Sequence, residues 1–170
     1  MSQGVLLFAH NSPQIDYVKQ AVYCAKKIKK HLSLQVALVT DSKAYLERAF
    51  PYYSNYIDIV VSKHHKTEQH RKFWNGTMYK TLPWNNFTRC HSYDLSPFDK
   101  TLVLDTDFLV GNNLLLKCFS NNNFKISSSF IDLNPSRNDI TLSRVSDTSI
   151  NMYWATVFYF CKNKFSKTFF

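Results

Sequence analysis

The sequence predicts an α/β fold in which parallel strands alternate with helices. Three observations carry this. Apolar, strand-prone runs at residues 4–9, 36–39 and 56–61 are separated by stretches of helical periodicity, an order that builds βαβ units. A fourth run, residues 101–104, is short and apolar apart from Thr101, as a strand buried on both faces should be. The chain has 170 residues, 45% of them hydrophobic, which suits one globular domain with a real core.

The elements follow in order. After the first strand come His10, Asn11 and Ser12, and Ser12-Pro13 reads as a helix start, a capping hydroxyl before a proline. Ile15, Val18, Ala21, Val22, Ala25, Ile28 and Leu32 recur at helical spacing, with lysines on the other faces and in the last turns. The second strand ends in Thr40-Asp41, and residues 44–50 form a short helix before Pro51. Ligands of such sheets sit outside the carboxyl ends of the strands, which lines up His10, Asn11, Thr40 and Asp41 on one rim.

Residues 63–77 are polar and basic, without regular pattern. Their histidines, His64, His65 and His70, match no common zinc spacing. Residues 78–82 read as a helical turn ended by Pro83, and 87–95 as a helix ended by Ser96-Pro97. Beyond residue 110, Asn112-Asn113 can cap a short helix over 114–119. Residues 124–131 and 152–160 read as strands and 132–149 as a polar loop. The last residues look like a helix beginning that lacks a stop signal, so the chain reads as C-terminally truncated.

Asp105 and Asp107 fall where the fourth strand runs out. An extended backbone would send both carboxylates to one side, where they could share one hard divalent cation, and a cation can hold a diphosphate. Two surface acids at a strand end give the same pattern. The formal net charge of +9 fits an anionic partner, or simply a solvated lysine-rich face. With 3 glycines and no Gly-rich phosphate loop, a phosphate must be held by metal, basic side chains or a helix N-terminus. The four cysteines, Cys24, Cys90, Cys118 and Cys161, form no C-x-x-C pair and read as reduced thiols. No targeting leader is visible, and no run is long enough to span a membrane. A cytoplasmic location is therefore expected, and the Asn-x-Thr triplets at Asn75 and Asn86 read as chance matches.

The lead-in Pro97-Phe98-Asp99-Lys100, the strand over 101–104 and Asp105-Thr106-Asp107 together resemble the GT-A nucleotide-sugar glycosyltransferases, in particular the glycogenin-like group. The start, residues 7–12, and the run 153–160 look more like phage-encoded members, which implies a viral protein acting in the host cytoplasm. The resemblance implies a GT-A, Rossmann-like fold: a mixed, mostly parallel sheet flanked by helices. A nucleotide-binding half would cover residues 1–111, and an incomplete acceptor half 112–170. It implies Mn²⁺ or Mg²⁺ on Asp105 and Asp107, with Asp105 also reaching the ribose or sugar. Arg89 and Thr106 would contact the donor, with Ala9, His10 and Asn11 lining the nucleotide pocket and Asp41 near the base. The partners implied are a nucleoside-diphosphate sugar and a hydroxyl acceptor on a glycan, protein or lipid-linked sugar. That group usually adds a histidine as third metal ligand far downstream, which would lie beyond Phe170.

The leaving diphosphate carries the charge that such a transfer must neutralise. An inverting reaction would also need a carboxylate base, for which Asp132, Asp139 and Asp147 are available and unranked. Two other readings compete. A haloacid-dehalogenase-type phosphatase would use Asp105 as nucleophile and Asp107 as acid, but its Asp-x-Asp normally opens the chain. A basic, aromatic-rich nucleic-acid binder would use residues 63–93 and leave the acids without a role. A donor-binding fragment that transfers nothing is a further possibility.

Overall fold

The computed structural model describes residues 1–64, 70–74, 78–83, 87–120, 125–127 and 154–162. Among these, strand β1 (Gln3–Ala9) leads to helix α1 (Tyr17–Leu32), β2 (Gln35–Thr40), helix α2 (Lys43–Ala49) and β3 (Ile59–Ser62). A hairpin, β4 (His70–Trp74) and β5 (Tyr79–Pro83), precedes a 3₁₀ turn (Phe87–His91) and the one-turn helix α3 (Ser92–Leu95). Then come β6 (Lys100–Leu104), a 3₁₀ turn (Leu114–Ser120), β7 (Lys125–Ser127) and β8 (Trp154–Cys161).

Six strands form one sheet in the order β3-β2-β1-β6-β8-β7. The first four run parallel, β8 is antiparallel to β6, and β7 pairs antiparallel with β8. The sheet is thus mixed and mostly parallel, as expected. Strand β1 is central because it is apolar on both faces. Val5, Leu7 and Ala9 pack with Val18, Ala21, Ala25 and Ile28 of α1. Leu6 and Phe8 face Phe98, Val103, Phe158 and Phe160 on the other side. The strand order reverses at β1, which takes β2 on one edge and β6 on the other.

Helix α1 begins later than its apparent cap. The Ser12 hydroxyl accepts from Ile15 N and closes its own turn. The true cap is Asp16, whose Oδ1 accepts from Lys19 N at 2.9 Å. Both ends of the Asn11 carboxamide serve the same start, donating to Asp16 and accepting from Val18 N. Burial pushes the Asp16 carboxyl up, but hydrogen bonds from the Tyr45 hydroxyl, Lys19 N–H and Asn11 outweigh it and hold the group below its ordinary value of 3.8. We expect Asp16→Ala to lower stability by about 1 kcal/mol at pH 7, read by urea denaturation. A depressed folded-state pKa stabilises above the unfolded value and is lost as pH falls through the folded one. The difference between wild type and variant should therefore shrink below about pH 4.

Three further local expectations fail. Residues 78–82 are not a helical turn, and part of 63–77 is not irregular, because His70–Trp74 and Tyr79–Pro83 pair as antiparallel strands. Cross-strand pairing decides such a ribbon, and neither strand shows clean alternation in sequence. The helix expected over 87–95 is a tighter 3₁₀ turn followed by a single α-turn. The Asn112 cap does form, with Oδ1 accepting from Leu114 N. The loop 132–149, the chance triplet at Asn75 and the terminal helix lie outside the described residues.

The Pro97–Lys100 lead-in works at the end of β6 away from the rim. Phe98 is 1% exposed and its ring lies where a Cβ on Gly4 would stand, 2.3 Å away. Asp99 Oδ2 accepts from Ser2 N at 2.7 Å and from the Ser2 hydroxyl. The Lys100 ammonium donates to the carbonyl of Phe119. Among the described residues no helix is long and apolar enough to cross a membrane.

Candidate functional site

The carboxyl ends of β1, β2 and β6 meet at one rim. Ala9 pairs with Thr40 across β1 and β2, and Leu7 with Leu104 across β1 and β6. Strand β6 stops at Leu104, and Phe108 N then donates to Asp105 O at 3.1 Å. Asp105 and Asp107 therefore sit on a turn rather than on an extended strand. Asp is favoured at the first position of such turns because its side chain can bond nearby backbone. The two acids stand on a turn, not at alternating positions of a strand.

They differ in setting. Asp107 is exposed, whereas Asp105 is half-buried and its Oδ1 contacts Nη2 of Arg89. The side chains of that pair are 9% (Arg89) and 18% (Asp105) exposed. Burial lowers the Arg89 guanidinium to about 10, while Asp107 and Tyr17 pull it the other way. It remains a cation at neutral pH. The Cys24 thiol beneath the turn faces the carbonyls of Phe108 and Asp105, and burial, helped by the Asp107 charge, pushes it up to about 12. It is not a nucleophile at neutral pH. Asp107 thus acts electrostatically on both Arg89 and Cys24, which ties both acids to one small region.

The rest of the rim is linked to this turn. Thr106 is buried and its hydroxyl donates to Gln20 Oε1 at 3.2 Å. His10 is 8% exposed; its Nε2 lies 3.1 Å from Thr88 Oγ1, and its Nδ1 3.5 Å from Asp41 Oδ2. The Ser42 hydroxyl donates to the other Asp41 oxygen. Thr88 precedes Arg89 on the same 3₁₀ turn, so His10 is bonded to the Arg89 turn and stands close to Asp41 at the end of β2. Ala9 is fully buried at the strand end. Asn11 lies at the rim with its carboxamide committed to the start of α1.

Of the residues singled out from sequence, His10, Asp41, Arg89, Asp105, Thr106 and Asp107 come together on this rim. Thr88, Gln20, Tyr17 and Cys24 were missed. The last three stand at i, i+3 and i+7 on α1, and polar Gln20 within that helical stripe was a signal that could have found them. Asp132, Asp139, Asp147, His65 and the side chain of His70 lie outside the described residues.

Two carboxylates on an exposed turn are hard oxygen donors of the kind Mn²⁺ and Mg²⁺ accept. Such ions commonly take one or two protein carboxylates and complete their shell with phosphate and water. Among the described residues no group of three or more His, Cys, Asp or Glu is placed to hold a metal. The donor set fits an ion shared with a phosphate ligand better than one caged by protein.

No protein-family model and no curated protein matches the chain. Solved structures do. The galactosyltransferase LgtC, in complex with donor and acceptor sugar analogs, matches at TM-score 0.57 and 14% identity over 96% of this chain. The glycosyltransferase GlyE of Streptococcus pneumoniae TIGR4 matches at 0.55 and 16% over 99%. The 4-diphosphocytidyl-2C-methyl-D-erythritol synthase of Anaerococcus prevotii DSM 20548 matches at 0.50 and 13% over 95%. The chain spans 59% of LgtC and 36% of GlyE. The mixed sheet, its reversal at β1 and these similarities together give the chain the GT-A glycosyltransferase fold.

Proposed function

We propose that this chain is the donor-binding part of a metal-dependent glycosyltransferase that takes its sugar from a nucleoside diphosphate and passes it to a hydroxyl acceptor. The observation that carries this reading is the Asp105–Asp107 turn at the strand-order reversal, with a buried cationic Arg89 against it. Ligands of open α/β sheets bind at that crevice. Residues 1–111 would form the nucleotide half, and 112–170 the beginning of the acceptor half. A divalent cation on Asp105 and Asp107 would supply charge neutralisation for the leaving diphosphate. Arg89 would add a second positive charge from below. Asp41, bonded by the Ser42 hydroxyl and close to His10, would stand at the nucleoside end of the rim. A glycogenin-like or phage-type subgroup and a cytoplasmic setting remain part of the proposal, on the sequence resemblance.

The geometry favours this over the phosphatase reading. A phosphatase of that type opens its chain on the Asp-x-Asp strand, whereas here the acids follow β6, after five earlier strands. The nucleic-acid reading leaves the Arg89–Asp105 arrangement without a use.

Asp107→Ala is the direct test. Asp107 is exposed, so the variant should fold with unchanged stability, within about 0.5 kcal/mol. Isothermal calorimetry with uridine diphosphate, guanosine diphosphate and cytidine diphosphate, each with Mn²⁺, should show metal-dependent binding in wild type and its loss in the variant. Undiminished binding by the variant would sink the assignment.

A further inference from the structure

We propose that Arg89 is a resident counter-cation for Asp105, so that a divalent cation alone loads the site poorly and loads well only together with a diphosphate. The inference deepens the metal-dependent reading above and rests on it. Asp105 already has a positive partner: Arg89 Nη2 lies against its Oδ1, with both side chains largely buried. Arg89, Asp105 and Asp107 together carry one net negative charge. A divalent ion added to these three groups leaves net positive charge beside a largely buried guanidinium. Arg89 cannot relieve this by losing its proton, because a guanidinium keeps its charge at neutral pH.

Taking Arg89 away leaves two carboxylates, whose charge one divalent ion balances. Adding a diphosphate has a comparable effect, because its oxygens give both the ion and the guanidinium a partner. Arg89 should therefore oppose the bare ion and favour the ion–diphosphate pair. This is a coupling between two ligands, and it must act in both directions. The arrangement would keep the site from filling with free metal when no donor is present.

The test uses the full chain and equilibrium dialysis at fixed free Mn²⁺, reading manganese bound per chain with and without inorganic pyrophosphate. Wild type should bind Mn²⁺ alone weakly and at least about tenfold more tightly with pyrophosphate, a coupling within the usual range. Arg89→Gln should bind Mn²⁺ alone about tenfold more tightly than wild type and lose most of the pyrophosphate enhancement. Arg89→Lys keeps the charge but not the fork geometry, and should retain more of the pyrophosphate enhancement than Arg89→Gln. The wild-type comparison needs no variant, so it stands even where Arg89→Gln folds poorly. Equal Mn²⁺ affinity in wild type with and without pyrophosphate overturns the inference. So does an Arg89→Gln chain that binds the bare ion no better than wild type. In either case manganese still binds, and the metal-site reading survives. Absence of bound manganese under every condition overturns both.

Discussion

Asp105→Ala is expected to destabilise the folded chain by about 3 kcal/mol or more, a large loss for a single exposed-rim turn. The reason lies beneath the turn. Arg89 is 8% exposed, and the Asp105 carboxylate is the acidic partner against its Nη2. Truncating the acid leaves a buried cation without that partner, and uncompensated buried charge is among the few mechanisms that cost this much. Asp105→Asn keeps the size and an oxygen that can accept from the guanidinium, so its loss should be smaller, about 1–2 kcal/mol. The double variant Asp105→Leu/Arg89→Met should recover most of the stability, because a buried ion pair replaced by apolar side chains of similar size is often close to neutral. Urea denaturation of the four proteins measures the series. An Asp105→Ala chain as stable as wild type would show that the pair carries no buried charge worth compensating. Asp107→Ala is the built-in contrast: an acid of the same type, two residues on and exposed, should cost almost nothing.

Phe98→Ala should cost about 3–5 kcal/mol. The ring is 1% exposed and belongs to the core layer formed by Leu6, Phe8, Val103, Phe158 and Phe160. It also passes over the backbone of β1 at Gly4, the one place in that strand with no side chain to displace it. Gly4→Ala alone should therefore be destabilising, by about 1–3 kcal/mol, since the new methyl group meets ring carbons of a packed aromatic. In the double variant the added methyl enters the space that the ring has left. The two losses should be clearly less than additive. Thermal denaturation of the two single variants and the double variant checks this, and simple additivity would mean that the two positions do not share that space.

The central strands were legible because burial on both faces leaves a continuous apolar run, and β1, β2 and β6 each have one. The rim residues were legible because they directly follow those runs. The hairpin β4–β5 was not, because its strands read as basic and aromatic without alternation, and only pairing with each other makes them strands. The cap of α1 was misplaced because Ser12-Pro13 has the chemistry of a helix start, while Asp16 wins by accepting from Lys19 N, Asn11 and Tyr45 together. At the site, the acids could be read but their geometry could not. The turn that carries them depends on β6 stopping at Leu104. Likewise, Arg89 was picked out on family resemblance as a donor contact. Its pairing with Asp105 depends on how the 3₁₀ turn docks, which no local pattern encodes. The Pro97–Lys100 lead-in shows the opposite case: its residues entered only as part of the family resemblance, yet they pin the chain start, fill the core and hold a distant carbonyl.

Strand β1 should be zipped along its two edges at different moments of assembly. Its β2 edge needs only the closure of a single α1 crossover, a local event. Its β6 edge joins segments far apart in the chain, as does the Ser2–Asp99 contact across 97 residues. Closing longer loops costs more entropy, and non-local pairing is the slow part of folding. The β1-α1-β2 unit should therefore gain hydrogen-exchange protection first, with β6 docking against it later. Arg89 and Asp105 are brought to the rim only by that late step. During synthesis, the nascent chain would carry its sheet nucleus well before it could hold a ligand.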